Sequence, residues 1–437
     1  MQKANILFIL VDDLGYGDLS SYGANDLRTP NIDSLVESGI RFDSFYSNCP
    51  VCSPTRASVL TGMYPDMVGV PGVIRTHQRD NFGYLSDRAI VLPEVLKCSG
   101  YDTAIVGKWH LGLETPNTPN EHGFDHFRGF LGDMMDDYYN HRRHDINYMR
   151  LNDQEIDPKG HATELFTEWA IDYIKGKRNK PFFLYLAYNA PHSPIQPPEE
   201  WLNRVKEREQ GINEKRAKLV ALIEHLDYCI GKVIRTLRES NLYDNTMIVF
   251  VSDNGGDLGA GASNYPLRGG KGQMYEGGIR VPMCAVWKNH IRPGSRSDHA
   301  ALTMDLFPTI CEAAEAGFDH DIDGKSILRD MIDESYHSEN DRYLFWVRRE
   351  GGLHYGGQSF YAVRYGNWKL LHNTPFEPFR LYNLGEDPKE DSPLDDSHGQ
   401  YRKLFNALQN HIIRTGAIPW QRYPVGYKAV DQFGKVK

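Results

Sequence analysis

Short, unbroken apolar runs recur along the chain, and each stops abruptly at polar residues. Asn5 to Val11 reads Asn-Ile-Leu-Phe-Ile-Leu-Val and gives way to Asp12-Asp13. Thr103 to Val106 leads into Gly107-Lys108-Trp109-His110-Leu111-Gly112. Pro181 to Tyr188 leads into Asn189-Ala190-Pro191-His192, and Thr246 to Val251 into Ser252-Asp253-Asn254-Gly255. Runs that are apolar throughout, rather than at every second position, fit strands covered on both faces, as in a parallel sheet. Between them the spacing turns helical: Asn31 to Gly39 with Ile32, Leu35 and Val36 on one side, Pro93 to Cys98, Ala162 to Ile174, and Lys215 to Ser240. A short strand is expected over Ile40 to Tyr46. This alternation predicts an α/β fold with a large mixed, mostly parallel sheet sandwiched by helices.

Two stretches break the pattern. Residues 113–160 are rich in Asn, Asp, His, Tyr and Gly with little periodicity, and predict a long surface excursion able to carry binding groups. After residue 335 the apolar runs shorten to Tyr343–Val347, Tyr361–Arg364 and Trp368–Leu371, with turns at Gly351-Gly352 and Gly366-Asn367. A helix over 401–414 follows. The expectation is a main domain over 1–335 and a smaller C-terminal α+β subdomain over 336–437, with an antiparallel sheet, contributing to the substrate pocket.

Composition narrows the function. A net charge of −9 over 437 residues argues against nucleic acid as a partner, which wants a basic face. Six cysteines without regular spacing do not make a disulfide framework in a chain this long. The run Ile6 to Val11 is too short to span a membrane and has no small-residue cleavage site, so no signal peptide is expected in this chain. A trimmed signal would place the protein in the periplasm or outside the cell, and otherwise it would be cytoplasmic. Oligomeric state is open.

In open α/β sheets, ligands bind beyond the C-terminal ends of the strands. Asp12, Asp13, Lys108, His110, His192, Asp253 and Asn254 all fall there. Asp12, Asp13, Asp253 and Asn254 offer only oxygen donors, which suits a hard cation, and calcium tolerates such an irregular shell better than magnesium. The competing reading is that they cap the following helices. Lys108 and His110 are two apart and point the same way if the segment is extended. Lys271 sits in Arg268-Gly269-Gly270-Lys271-Gly272, which either lets backbone approach an anion or is simply a flexible loop. Cys52 precedes Pro54 at the start of a helical pattern, where free N–H groups, the helix dipole and Arg56 favour an anion. Cys49 and Cys52 form a CxxC, so a redox pair, half a zinc site or a plain buried thiol are the alternatives.

Cys52-Ser53-Pro54-Thr55-Arg56, running on into Ala57-Ser58-Val59-Leu60-Thr61-Gly62, resembles the signature of the formylglycine-dependent, cysteine-type (type I) sulfatases, within the alkaline-phosphatase-like superfamily. Asp12-Asp13, Gly107 to Gly112, His192, Ser252 to Gly255 and Lys271 match that family's other motifs, and Leu381-Tyr382-Asn383-Leu384 with Asp387-Pro388 resembles its C-terminal one. The resemblance implies that a maturation enzyme oxidises Cys52 to formylglycine, whose hydrate attacks the sulfur of a sulfate ester. It implies one calcium ion on Asp12, Asp13, Asp253, Asn254 and residue 52, with Lys108 and Lys271 holding sulfate oxygens. Asp253 would be the base for attack, and His192 with Lys271 would protonate the leaving oxygen. His110 would then take a proton to release sulfate, and Arg56 would position residue 52. A sulfated saccharide is the expected substrate, with Arg75, His77, Arg79, His141, Arg143, Arg348 and His354 as candidate contacts. An aryl sulfatase, a phosphate mono- or diester hydrolase of the superfamily and a non-catalytic glycan-binding relative are the competing readings.

Overall fold

The computed structural model describes residues 3–420 except 78–79, 81–82, 337, 339–340 and 356. Its centre is a ten-stranded sheet, in the spatial order Ser295–Ser297, Ile40–Phe42, Met283–Val286, Thr246–Ser252, Asn5–Val11, Phe182–Ala187, Asp102–Lys108, His126–Phe130, Met149–Leu151 and Gln154–Glu155. The five strands from Thr246–Ser252 to His126–Phe130 run parallel, and antiparallel pairs flank them on both sides. The four strongest apolar runs of the sequence are therefore neighbours in the middle of the sheet. Every residue of Asn5–Val11, Phe182–Ala187 and Thr246–Ser252 is buried, which requires cover on both faces.

Register decides what emerges at the sheet edge. Val11 pairs with Ser252, Leu10 with Ala187, and Ala187 with Gly107. Asp12, Asp253, Tyr188 and Lys108 therefore leave adjacent strands at nearly the same height. Gly107 allows this closeness: a Cβ there would stand 1.9 Å from the Ala187 carbonyl oxygen.

Helices Pro30–Ser38, Ala162–Lys175 and Glu199–Arg208 pack around the long Glu214–Glu239 helix. Its Asp227 carboxylate accepts the Asn31 and Ile32 N–H groups at 3.1 and 2.8 Å, supplying from another helix the partners that the first turn of Pro30–Ser38 lacks. Cys52–Thr61, Leu92–Cys98 and Leu306–Ala313 form a second helical group.

The aperiodic stretch 113–160 departs from the expectation of a surface excursion. His126–Phe130 is a strand of the main sheet, and Phe124, Phe127, Phe130 and Tyr138 are buried. The reading fails because Arg128 and Gly129 interrupt the apolar run, the Arg128 guanidinium lying 4.3 Å over the Trp169 ring. Ile40–Tyr46 likewise divides into Ile40–Phe42 and Phe45–Tyr46.

Near the C-terminus, Tyr343–Arg349, Ser359–Tyr365, Trp368–His372 and Arg380–Asn383 form a separate four-stranded antiparallel sheet. Alternation sorts its faces: Leu344, Trp346, Ala362, Leu371 and Tyr382 pack with Tyr46, Met274 and Ile279 of the main body. Val363, Leu370 and Leu381 pack on Leu404 and Leu408 of the Gly399–Thr415 helix. Trp346 is the pivot of the first face, donating its indole N–H to the Ser47 carbonyl at 2.8 Å and meeting Tyr46 edge-on at 5.6 Å. Trp346→Ala is expected to lower unfolding free energy by about 3–5 kcal/mol. Phe376→Ala, at a side chain 95% exposed, should change it by less than about 0.5 kcal/mol in the same denaturant titration.

Candidate active site

Cys52 is the first residue of the helix Cys52–Thr61, all ten residues of which are buried. The helix stops where Gly62 adopts φ 68° and returns its N–H to the Ser58 carbonyl. Ser53 Oγ accepts from the Ile74 N–H at 3.0 Å, tying the helix start to the loop that also supports His110. The Cys52 thiol has its pKa pushed up to about 11, chiefly by burial, so the unmodified side chain is protonated and weakly nucleophilic at neutral pH.

Behind Cys52 lies a buried lattice of opposite charges. Asp12 Oδ2 accepts from Lys108 Nζ at 2.5 Å, with Arg56 Nη2 at 3.5 Å. Arg56 Nε and Nη2 both donate to Asp253 Oδ2, at 3.1 and 2.7 Å, and Nη1 donates to the Lys108 carbonyl. Arg56 is thus occupied in orienting carboxylates and does not line the cleft. Asp13 Oδ1 accepts from Asn254 Nδ2 and Oδ2 from Lys271 Nζ, each at 2.7 Å. Burial raises the Asp12 carboxyl, but Lys108, His192, Arg56 and Lys271 outweigh it and hold the group below its ordinary value. Burial and then Asp12 push Asp253 up to about 8.

Carboxylate oxygens of Asp12, Asp13 and Asp253 lie within 4.8 Å of one another, and a second such group joins Asp12, Cys52 and His192. Asp12 Oδ1 and Asn254 Oδ1 are buried without a hydrogen-bond partner. Two orphaned acceptors beside further carboxylates are what a bound cation satisfies, and an all-oxygen set selects a hard one. The residues present fit a divalent cation.

Both histidines have their protons placed by their surroundings. His192 Nδ1 lies 2.7 Å from the Ser193 carbonyl and so carries the hydrogen, leaving Nε2 to accept from Lys271 Nζ at 2.9 Å. The Tyr138 hydroxyl bonds the His192 carbonyl at 2.8 Å and fixes the loop. His110 Nε2 donates to the Ile74 carbonyl at 2.9 Å, so its buried, unpartnered Nδ1 holds a free lone pair. Burial first, then Lys108 and Arg56, push the His110 pKa well down and keep it neutral. The segment from Lys108 to His110 is not extended, so the condition under which the two side chains would point the same way is not met. The strand ends at Lys108 and His110 turns left-handed, with φ 62°.

Cys52, His110, His192 and Lys271 face a cleft of ≈ 320 Å³ that Arg75, Arg143 and Arg348 also line. His141 does not reach it: the ring is buried and its Nε2 bonds the Gly160 carbonyl at 2.9 Å. His77 stands off the lining, its ring 4.6 Å from that of His144. Arg79 lies outside the described residues, as does the side chain of His354 in the short helix Gly352–Tyr355. Asp133, Met134, Val73 and Asp257 line the cleft without a sequence signal of their own, since each sits in an aperiodic loop. Glu350 behind the lining was equally hidden, and only the spatial meeting of Arg75 with Arg348 reveals it.

A buried cysteine at a helix start, a carboxylate cage behind it and two histidines on the same cleft suit the hydrolysis of an anionic ester. A family model described as Sulfatase matches residues 4–316, and one described as N-sulphoglucosamine sulphohydrolase, C-terminal, matches residues 270–417. The chain belongs to the sulfatase family, and it is a sulfuric ester hydrolase. N-acetylgalactosamine-6-sulfatase of Homo sapiens is 31% identical over 94% of this chain and 85% of its own length. Arylsulfatase J of Mus musculus is 32% identical over 97% of this chain and 73% of its own. Among solved structures, Ps i-CgsB in complex with k-i-k-neocarrahexaose superposes with a TM-score of 0.87 at 31% identity, covering 97% of this chain and 96% of that one.

If the oxygen cage takes a cation, titrating calcium chloride into the chain should stabilise it by about 2.7 kcal/mol at a hundredfold excess over Kd. Asn254→Ala should remove that shift in unfolding temperature. Asp253 must lose its proton to bind, so with its carboxyl raised to about 8 the calcium affinity should rise with pH up to that value and then level. A shift that Asn254→Ala leaves intact, or an affinity flat across that range, would place the ion elsewhere.

Proposed function

We propose that this chain hydrolyses O-sulfate esters on a sulfated saccharide, with residue 52 as nucleophile after oxidation of Cys52 to formylglycine and with calcium held by Asp12, Asp13, Asp253, Asn254 and residue 52. The observation that supports this most directly is the meeting of Cys52 with His110, His192 and Lys271 on one cleft backed by orphaned carboxylate and amide oxygens. Burial pushes the Cys52 thiol up to about 11, so the unmodified side chain is a weak nucleophile at neutral pH. A maturation enzyme is the partner that this oxidation requires. The names of the relatives and the saccharide bound to Ps i-CgsB support a sugar as the ester's carrier.

Hydrated formylglycine would supply a hydroxyl nucleophile beside the calcium, which would offset charge on the ester oxygens. The chain's own residues divide the rest. Lys271 places its ammonium group on the cleft beside the sulfate oxygens, where charge grows in the transition state, and Lys108, held on Asp12 behind Cys52, adds its positive charge from there. Asp253, hydrogen-bonded by Arg56 and the Asp13 N–H, accepts the proton of the attacking hydroxyl. His192 and Lys271 share a proton at Nε2 and Nζ and deliver it to the departing alcohol oxygen. His110 Nδ1, with its free lone pair, takes the proton whose loss lets sulfate leave. Arg56 holds Asp253 and Asp12 in register and exchanges no proton.

Three outcomes follow from assaying sulfate release on sulfated monosaccharides and disaccharides, with an aryl sulfate and an aryl phosphate alongside, using chain co-produced with a maturation enzyme. Cys52→Ala should abolish turnover with the unfolding temperature kept. His110→Ala and His192→Ala should each slow it by roughly 10²- to 10⁴-fold. Hydrolysis of the phosphate alone, undiminished in Cys52→Ala, would refute the proposal.

A further inference from the structure

The lining of the cleft carries two unlike charge clusters. In one, Arg143 lies between carboxylates, its Nε donating to Asp133 Oδ1 at 3.0 Å and its Nη1 to Asp136 Oδ1 at 2.7 Å. With Asp133 and Asp136 set against a single guanidinium, this cluster is negative on balance.

A second cluster on the lining reverses the sign. Arg348 Nε and Arg75 Nη2 share a single carboxylate, Glu350, at 2.9 and 3.3 Å. Among the described residues no other carboxylate lies in ion-pair range of either guanidinium. Two positive charges thus stand against one negative charge that is 2% exposed. Both side chains are held in place. Arg75 stacks 4.1 Å over the Tyr355 ring with its Nε buried and unpartnered, and Arg348 Nη1 donates to the Gly272 carbonyl at 2.8 Å, next to Lys271. A guanidinium has five N–H donors, so each keeps some for a ligand.

We infer that Arg75 and Arg348, aimed by Glu350, form a subsite for a second anionic group on the saccharide, a sulfate or carboxylate carried beside the ester that is cleaved. This deepens the reading of the chain as a saccharide sulfatase and rests on it. Sulfate and carboxylate both present paired oxygens to a guanidinium fork, and a preoriented, partly buried fork binds them better than a flexible surface arginine does. The Asp133 and Asp136 cluster around Arg143 disfavours an anion and accepts hydrogen bonds from neutral hydroxyls. The enzyme therefore selects multiply charged glycans and orients them, second anion toward Glu350.

The test compares matched saccharides on the matured full chain: monosulfated galactose, N-acetylgalactosamine and N-acetylglucosamine, the disulfated form of each, and the monosulfated form linked to glucuronate. The doubly anionic member of the pair that is turned over should show kcat/KM about tenfold higher, carried by KM, as one charge-assisted contact of this kind gives. Preference for the disulfated or the glucuronate-linked form tells which anion is read. Arg75→Gln should shrink the ratio several-fold, and Arg348→Gln does the same as a second variant where Arg75→Gln fails to fold. A wild-type ratio near one, or equal losses on both members of a pair in the variants, overturns the subsite while leaving the sulfatase reading standing. No release from any saccharide overturns both.

Discussion

Three carboxylates and three cationic side chains buried together at the end of the central strands constrain everything else. Asp12, Asp13 and Asp253 can be adjacent only because Arg56, Lys108 and Lys271 bond them directly. Removing one member of such a set strands a charge in the interior, at a cost of roughly 3–5 kcal/mol. With all three carboxylates ionised the lattice is balanced in sign, so a divalent cation taken up by Asp12 and Asn254 would tip the cleft positive. That excess would draw and hold an anionic ester in a protein whose overall charge is −9. With the cation in place, local field and net charge would have opposite signs, and the local field would govern binding.

The same constraint explains why the second sheet is needed. Lys271 comes from a loop with little secondary structure, and its ammonium must meet Asp13 and His192 together. The C-terminal sheet holds that loop at successive points. Arg348 bonds the Gly272 carbonyl, Asn373 Oδ1 accepts the Met274 N–H, and Glu390 accepts the Glu276 N–H at 2.7 Å. Lys369, fully buried, bridges Glu276 and Glu390 at 2.9 and 2.8 Å, and Tyr46 donates to Glu276 from the main body. Lys271 is therefore positioned from the main body and from the C-terminal region together, and the strand that carries Arg348 to the cleft is part of its support.

Sequence was most informative where chemistry and periodicity coincide. The central strands read clearly because both faces are buried, and the residues that follow them read as a site because a parallel sheet sends all its C-terminal ends one way. His126–Phe130 was hidden because Arg128 solves its burial by stacking on Trp169, a tertiary solution with no local pattern. Arg380–Asn383 was hidden for a related reason: four residues with two buried cannot be told from a loop. Among the candidate contacts, Arg75 and Arg348 reach the cleft while His141 satisfies itself on Gly160. A histidine and an arginine in loops look alike in sequence, and only the fold says which finds an internal partner.

Backbone handedness is the step that sequence spacing leaves out. Had the chain continued as a strand, Asp12 and Asp13 would point to opposite faces. Asp13 instead takes φ 68°, and its N–H turns to Asp253 Oδ1 at 3.2 Å while its carboxylate meets Asn254 and Lys271. His110, at φ 62°, makes the corresponding turn after Lys108 and so aims its ring at the Ile74 carbonyl. Each left-handed residue costs on the order of 1 kcal/mol, and aspartate and histidine are among the side chains that tolerate it best. The cost is met by the hydrogen bonds that the turn creates, all of them inside the site. Two adjacent acids converge on one point because a strained residue folds the chain back, and that is why this pair closes a cage where an ordinary strand end would splay.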